Sequence, residues 1–84
     1  MCRTHILSNE EYIVALEAKL NEEVAEYQAD KNLEEMADVL EVLHAICVAR
    51  GYSLAELEAM RANKAEKRGG FKEKIFLEYV EEKR

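Results

Sequence analysis

The chain has 84 residues and a mass of 9.7 kDa, which allows one modest core and excludes a deep active-site cavity walled by a single subunit. An apolar fraction of 49%, a charged fraction of 36% and the absence of proline are typical of a globular all-α domain. The net charge of −6 argues against binding to nucleic-acid polymers or to an anionic membrane surface.

The first predicted element is a helix that begins after Ser8. We expect a single domain over 1–84, of which 1–7 carry no pattern and are predicted to be poorly ordered. Ser8 and Glu11 form a capping box, which predicts a helix start at this position. The helix ends in a turn at 30–32. Its apolar stripe, with spacings of three and four, consists of Ile13, Leu16, Leu20, Val24 and Tyr27.

The second predicted helix begins with another capping box, Asn32 and Glu35, and ends at about Arg50, with Gly51 as its stop. This helix is apolar on two sides. Such helices are usually buried on both, so we expect helix one on one side and either a third helix or a neighbouring subunit on the other. The two strips are Met36, Leu40, Leu43 and Cys47, and Val39, Val42 and Ile46.

A third helix is predicted from about Leu54 to Lys67, with Ser53 and Glu56 as its capping box. Glycines at 69–70 break the chain after it. Apolar residues between Phe71 and Val80 then suggest a short amphipathic helix. The predicted fold is therefore an antiparallel helical hairpin with one or two further helices, completed by oligomerisation.

Four carboxylates flank the turn between helices one and two. Glu23 and Glu26 share one helix face, as do Glu35 and Asp38, because each pair is three residues apart. In an antiparallel hairpin Glu26 lies level with Glu35, and Glu23 with Asp38. Since packed helix axes lie roughly 8–10 Å apart, the four acids can form a cage for a hard divalent cation. Oxygen ligands favour Mg²⁺, with Mn²⁺ as the alternative. The competing interpretation is a pair of solvated helix faces.

Several single residues have two interpretations. Glu22 points farther from the core than Glu23 and is a second ligand, an orienting base or a solvated acid. His44 is a functional residue or a histidine at the edge of the core. Cys47 is predicted to be a small core residue, and both cysteines are expected to be reduced in a cytoplasmic protein. No signal peptide or membrane-spanning segment is predicted.

The charges are segregated along the chain. Residues 8–41 carry eleven acids against two lysines, whereas residues 60–74 carry six bases against two acids. An acidic zone and a basic zone suit a ligand made of a metal ion and phosphate, because arginine and lysine bind phosphate oxygens. The alternative is an ordinary solvated face. The candidate phosphate-binding groups are Arg61, Lys64, Lys67, Arg68 and the backbone amides of Gly69 and Gly70.

Three segments together resemble a known superfamily. They are 19–26, with the sequence Lys-Leu-Asn-Glu-Glu-Val-Ala-Glu, then 35–38, with Glu-Met-Ala-Asp, and 64–71, which ends in Arg-Gly-Gly-Phe. This pattern resembles the all-α nucleoside triphosphate pyrophosphohydrolases, which include MazG, the all-α dUTPases and phosphoribosyl-ATP pyrophosphatase. The resemblance covers about residues 9–78 and is strongest to small house-cleaning members.

The resemblance implies a MazG-like fold and hydrolysis of a nucleoside triphosphate, including noncanonical ones, to the monophosphate and pyrophosphate. It implies Mg²⁺ held by four acids with Glu22 close by, so Glu22 and Glu23 are the candidate catalytic residues. It also implies a homodimer or homotetramer. Two other functions stay open: a helical binding or assembly module with weakened catalysis, and a phosphoribosyl-ATP pyrophosphatase. The four implied metal ligands are Glu23, Glu26, Glu35 and Asp38.

Overall fold

The computed structural model describes residues 7–68, and within this range the chain forms three helices and no strand. Helix α1 spans Asn9–Asp30, α2 spans Leu33–Ala49 and α3 spans Leu54–Arg68. The predicted all-α fold is confirmed. The predicted helix boundaries agree with these ranges to within one or two residues.

Helix α1 is fixed at both ends by local hydrogen bonds. The Ser8 hydroxyl accepts from the Glu11 backbone N–H at 3.1 Å, and the Ser8 N–H donates to Glu11 Oε1 at 2.9 Å, which confirms the predicted capping box. At the other end Lys31 adopts the left-handed conformation with φ of 57°, and its N–H donates to the Tyr27 carbonyl at 2.7 Å. This turn reverses the chain and leads directly into α2.

Helix α2 begins with one of the two hydrogen bonds of the predicted capping box and ends at the predicted glycine. The Asn32 side chain accepts from the Glu35 N–H at 2.8 Å, which satisfies one of the free donors at the helix start. At the far end Gly51 has φ of +95°, a backbone conformation that other residues rarely adopt. The glycine therefore ends the helix.

The helices α1 and α2 pack against each other as an antiparallel hairpin. Across 7–68 the buried apolar side chains are Val42, Ile46 and Cys47, all on α2. The prediction that Cys47 is a core residue is confirmed. Its thiol is free and donates to the Ser53 carbonyl at 3.4 Å. This small core holds the hairpin and leaves much apolar surface outside it.

The two apolar strips of α2 differ in burial. Val42 and Ile46 of one strip are buried. In the other strip only Cys47 is buried, and its other three members are 41–52% exposed, namely Met36, Leu40 and Leu43. The prediction that α2 is buried on two sides is therefore confirmed for only one side within the described part of the chain. The other side is an exposed apolar row.

The chain divides into two compact units, with the boundary between Leu54 and Ala55. Helix α3 is an exposed helix that contains no buried residue. Neither its predicted capping box nor the single-domain assignment is tested. The predicted amphipathic helix after Phe71 lies outside the described residues, as does Cys2. Within 7–68 no helix has both the length and the apolar character that crossing a membrane requires.

Candidate metal centre

Three of the four predicted metal ligands come together near the turn of the hairpin. One carboxylate oxygen from each of Glu23, Glu35 and Asp38 lies within 4.8 Å of the other two. Two oxygens bound to one Mg²⁺ lie up to roughly 4.2 Å apart, because each bond measures about 2.0–2.1 Å. A small movement of these side chains would therefore let all three bind one ion.

Glu23 is the most unusual member of this acidic triad of Glu23, Glu35 and Asp38. It is only 6% exposed and is the one buried residue of α1. A buried carboxylate is costly unless charge or hydrogen bonds compensate it. Glu35 is half-buried and Asp38 is exposed, so the triad runs from the interface between α1 and α2 out to solvent. An ion could reach it from the solvent side.

Two buried oxygens of the triad have no partner. Oε1 of Glu23 and Oε1 of Glu35 are both enclosed and accept no hydrogen bond. Buried polar atoms are nearly always satisfied in folded proteins, so two unsatisfied acceptors within one acidic cluster indicate a missing donor or cation. This observation separates the triad from an ordinary pair of solvated helix faces.

The negative charges around Glu35 also favour the binding of a cation at the triad. The pKa of the Glu35 carboxyl is raised, first by partial burial and then by the negative charges of Glu26, Asp30, Asp38 and Glu23. Like charges at this spacing repel one another, and a divalent cation among them would remove the repulsion. The negative charge of the site therefore favours a positively charged ligand.

Glu26 lies at the edge of this group rather than within it. Its charge helps to raise the pKa of Glu35, which places it nearby, but its side chain is exposed and it is not one of the three mutually close acids. Among the neighbouring acids Glu26 has the largest effect of charge on the Glu35 pKa, which agrees with the predicted level pairing, and Glu23 also approaches both acids of α2. Glu26 stays a candidate outer ligand.

Lys19 holds the other oxygen of Glu23. Its ammonium lies 3.0 Å from Glu23 Oε2 and 3.2 Å from Glu22 Oε1, one helical turn before both acids. These two hydrogen bonds, to Glu23 first and then to Glu22, raise the pKa of Lys19 to about 12. Glu22 is exposed and paired with Lys19, and it is not one of the triad. The sequence contained this spacing, but Lys19 was not singled out.

The four predicted phosphate-binding side chains lie on α3 and are exposed, namely Arg61, Lys64, Lys67 and Arg68. Arg61 donates to Glu58 twice, at 2.9 Å from Nε and 2.6 Å from Nη2, and this pair lowers the pKa of Glu58 and raises that of Arg61. Lys64 and Arg68 also have interaction partners. Gly69 and Gly70 lie outside the described residues. His44 is half-buried on α2.

Comparison of the chain with protein-family models, with curated proteins and with solved structures found no match. Membership of the all-α pyrophosphohydrolases therefore stays a prediction from the motif residues. The geometry of the triad does not depend on this membership.

Proposed function

We propose that this protein is a Mg²⁺-dependent pyrophosphohydrolase that converts a nucleoside triphosphate to the monophosphate and pyrophosphate. The observation that carries the proposal is that Glu23 and Glu35, two members of the cluster with Asp38, each have a buried oxygen without a partner. Such a cluster is suited to a hard cation, and the motif residues that form it resemble those of the all-α pyrophosphohydrolases.

The donor set fits Mg²⁺, with Mn²⁺ as the alternative. All three groups are carboxylates, the ligand class that Mg²⁺ prefers, and three of them leave positions for substrate oxygens and water. Glu23, Glu35 and Asp38 would hold the ion, and Glu26 would add charge from the edge. A divalent cation in such a site neutralises phosphoryl charge and acidifies water.

The chain's own acids would then do the remaining work. Glu22 is the candidate base, because its carboxylate is exposed next to Glu23 and is held in place by Lys19. A base in this position would orient a water and accept its proton. Glu23 cannot easily rotate away, because it is buried between the helices and bound to Lys19.

Phosphate oxygens of the substrate need cationic partners. We propose that Lys64, Lys67 and Arg68 of α3 supply them, with Arg61 recruited from its pair with Glu58. On this proposal the substrates are nucleotides of the cytoplasm.

The proposal is tested by measuring pyrophosphate release from canonical and damaged nucleoside triphosphates with Mg²⁺. We expect the wild type to release pyrophosphate from at least one substrate, and Glu35→Gln and Asp38→Asn to lose about 100-fold or more, since a metal-bound transition state loses several kcal/mol of stabilisation. Glu17→Gln is the matched control, because it removes an acid of the same helix hairpin outside the triad.

Unchanged pyrophosphate release in Glu35→Gln would contradict the proposed site. No release from any nucleotide, combined with intact Mg²⁺ binding, would favour the second candidate function, a binding or assembly module with weakened catalysis. Phosphoribosyl-ATP belongs in the substrate panel, because its hydrolysis uses the same chemistry.

One observation supports an assembly role alongside catalysis. Leu33, Met36, Leu40 and Leu43 are exposed on α2 and recur at spacings of three and four, which is the repeat of a helix-packing seam. No charged residue stands within this row, so two copies of an acidic chain can approach there without strong repulsion. We propose that a second copy of the chain covers the row and forms a homodimer, which a homotetramer could extend.

Analytical ultracentrifugation at several protein concentrations tests this assembly. We expect a dimer or tetramer for the wild type and a shift to monomer for Leu40→Glu, because the substitution places a charge in the apolar row. Val14→Glu, an exposed apolar position on α1, is the control and is expected to leave the mass unchanged. A monomeric wild type at every concentration would contradict the assembly.

A further inference from the structure

The two oxygens of the Glu23 carboxylate have different surroundings. Oε2 lies 3.0 Å from the Lys19 ammonium, whereas Oε1 is buried and accepts no hydrogen bond. The whole residue is 6% exposed, so the carboxylate cannot turn freely to exchange the two oxygens. Only one of its oxygens is available to an incoming cation.

We propose that Lys19 restricts Glu23 to a single ligating oxygen and thereby makes the site selective for Mg²⁺ over Ca²⁺. This inference rests on the proposed metal site. Lys19 is a positioning and specificity-determining residue here, since it touches the ligand Glu23 and not the ion.

The physical basis is the different coordination of the two ions. Mg²⁺ takes octahedral ligands at about 2.0–2.1 Å and keeps several waters, so one oxygen per carboxylate suits it. Ca²⁺ takes six to eight oxygens at about 2.3–2.6 Å and often binds both oxygens of a carboxylate. A lysine bonded to Oε2 prevents that second mode at Glu23. Partners that orient a ligand in this way tune metal affinity.

Two effects of removing Lys19 can be separated. Loss of a positive charge beside the triad raises the affinity for every divalent cation to a similar extent, because both ions carry the same charge. Release of Oε2 helps only the ion that can use both oxygens. The ratio of Ca²⁺ to Mg²⁺ affinity therefore isolates the effect of Lys19 on coordination.

The experiment is calorimetric titration of the full chain with Mg²⁺ and, separately, with Ca²⁺. In Lys19→Met we expect the affinity ratio to move toward Ca²⁺ by about tenfold, the lower end of the roughly 10–100-fold changes in metal affinity that follow the loss of a ligand's partner. Lys19→Arg, which keeps a donor on Oε2, is expected to restore the wild-type ratio. Arg50→Met is the matched control, because it removes a cation from an ion pair with Glu17, which is not in the triad.

An unchanged ratio in Lys19→Met would overturn the inference, and so would an equal shift in Arg50→Met. Lys19→Gln serves as the second neutral variant if Lys19→Met loses its helical circular-dichroism signal. A wild type that binds neither cation would instead overturn the metal site itself. The two failures are therefore distinguishable.

Discussion

The two ends of the α1–α2 hairpin use acidic residues in opposite ways. At the open end Glu17 pairs with Arg50 at 3.0 Å across the helices, and the Asn9 amide donates to the Ala49 carbonyl at 3.3 Å. At the turn end the acids of both helices approach one another, and Glu23 and Glu35 each keep a buried oxygen without a partner. The open end pairs its acid with a cation of the other helix, whereas at the turn end Lys19 meets only one oxygen of Glu23 and two carboxylate oxygens stay unpaired.

This difference distinguishes structural acids from ligand-binding acids in one small molecule. Glu17 is exposed enough for water to solvate it, and its cation is built into the chain. Glu23 has a built-in cation on one oxygen only. The chain therefore stabilises its open end through its own side chains, and we propose that the turn end gains stability from a bound cation.

The largest expected effect is stabilisation by a divalent cation at the turn end. A ligand that binds only the folded state at one hundred times its dissociation constant adds about 2.7 kcal/mol to the free energy of unfolding. We expect Mg²⁺ to raise the wild-type value by this amount in urea denaturation monitored by circular dichroism. Glu35→Gln is expected to remove the increment.

The open end supplies the control for this experiment. Glu17→Gln carries the same chemical change on the same hairpin, so it should retain the full Mg²⁺ increment. An increment that survives in Glu35→Gln, or that disappears equally in Glu17→Gln, would show that the cation acts through general charge screening.

A smaller effect is expected from pH in the absence of divalent cations. The pKa of Glu35 is raised in the folded chain, by burial first and by neighbouring acids second. A carboxyl with a raised folded pKa binds protons more tightly when folded, so its contribution to stability is lost as pH rises from about 4.5 through the folded value. With a chelator present, the melting temperature of the wild type should fall more than that of Glu35→Gln as pH rises above about 4.5.

The thermal melts of the two proteins should therefore diverge as pH increases, with Glu35→Gln the more stable at neutral pH. If the melting temperatures of the two proteins change with pH in parallel, repulsion among the acids at the turn end does not affect the stability of the folded chain. The substitution that removes cation binding would thus stabilise the cation-free protein.

The smallest effect is expected at the open end. The ion pair of Arg50 with Glu17 is about half exposed on both sides, so solvent screens it. We expect Arg50→Met to reduce the free energy of unfolding by only about 0.5 kcal/mol, in the range of exposed ion pairs. A loss several times larger in urea denaturation would mean that this pair, and not the small apolar core, holds the two helices together.

Helix boundaries were predictable from the sequence because they depend on local chemistry. The box of Ser8 and Glu11 and the left-handed Gly51 act through neighbouring residues, so their effect can be read without tertiary contacts. The mirrored spacing of the acids likewise predicted a cluster at the turn, and the structure brings Glu23, Glu35 and Asp38 together.

The rotation of α1 about its axis was not predictable, since it depends on packing. The apolar stripe of α1 is broad and includes Val24, which is 38% exposed in the structure, whereas the neighbouring Glu23 is buried. This rotation brings Glu23 to both acids of α2 and leaves Glu26 at the edge. The spacing of Lys19 from Glu22 and Glu23, by contrast, lies within α1 and could be read from the sequence.

The most direct measurement of the central claim is a crystal structure of the full chain with Mn²⁺, in which anomalous scattering locates the ion. We expect an anomalous peak at coordination distance from oxygens of Glu23, Glu35 and Asp38, with Lys19 still bound to the other oxygen of Glu23. A well-ordered hairpin with no peak among these three carboxylates at saturating Mn²⁺ would contradict it.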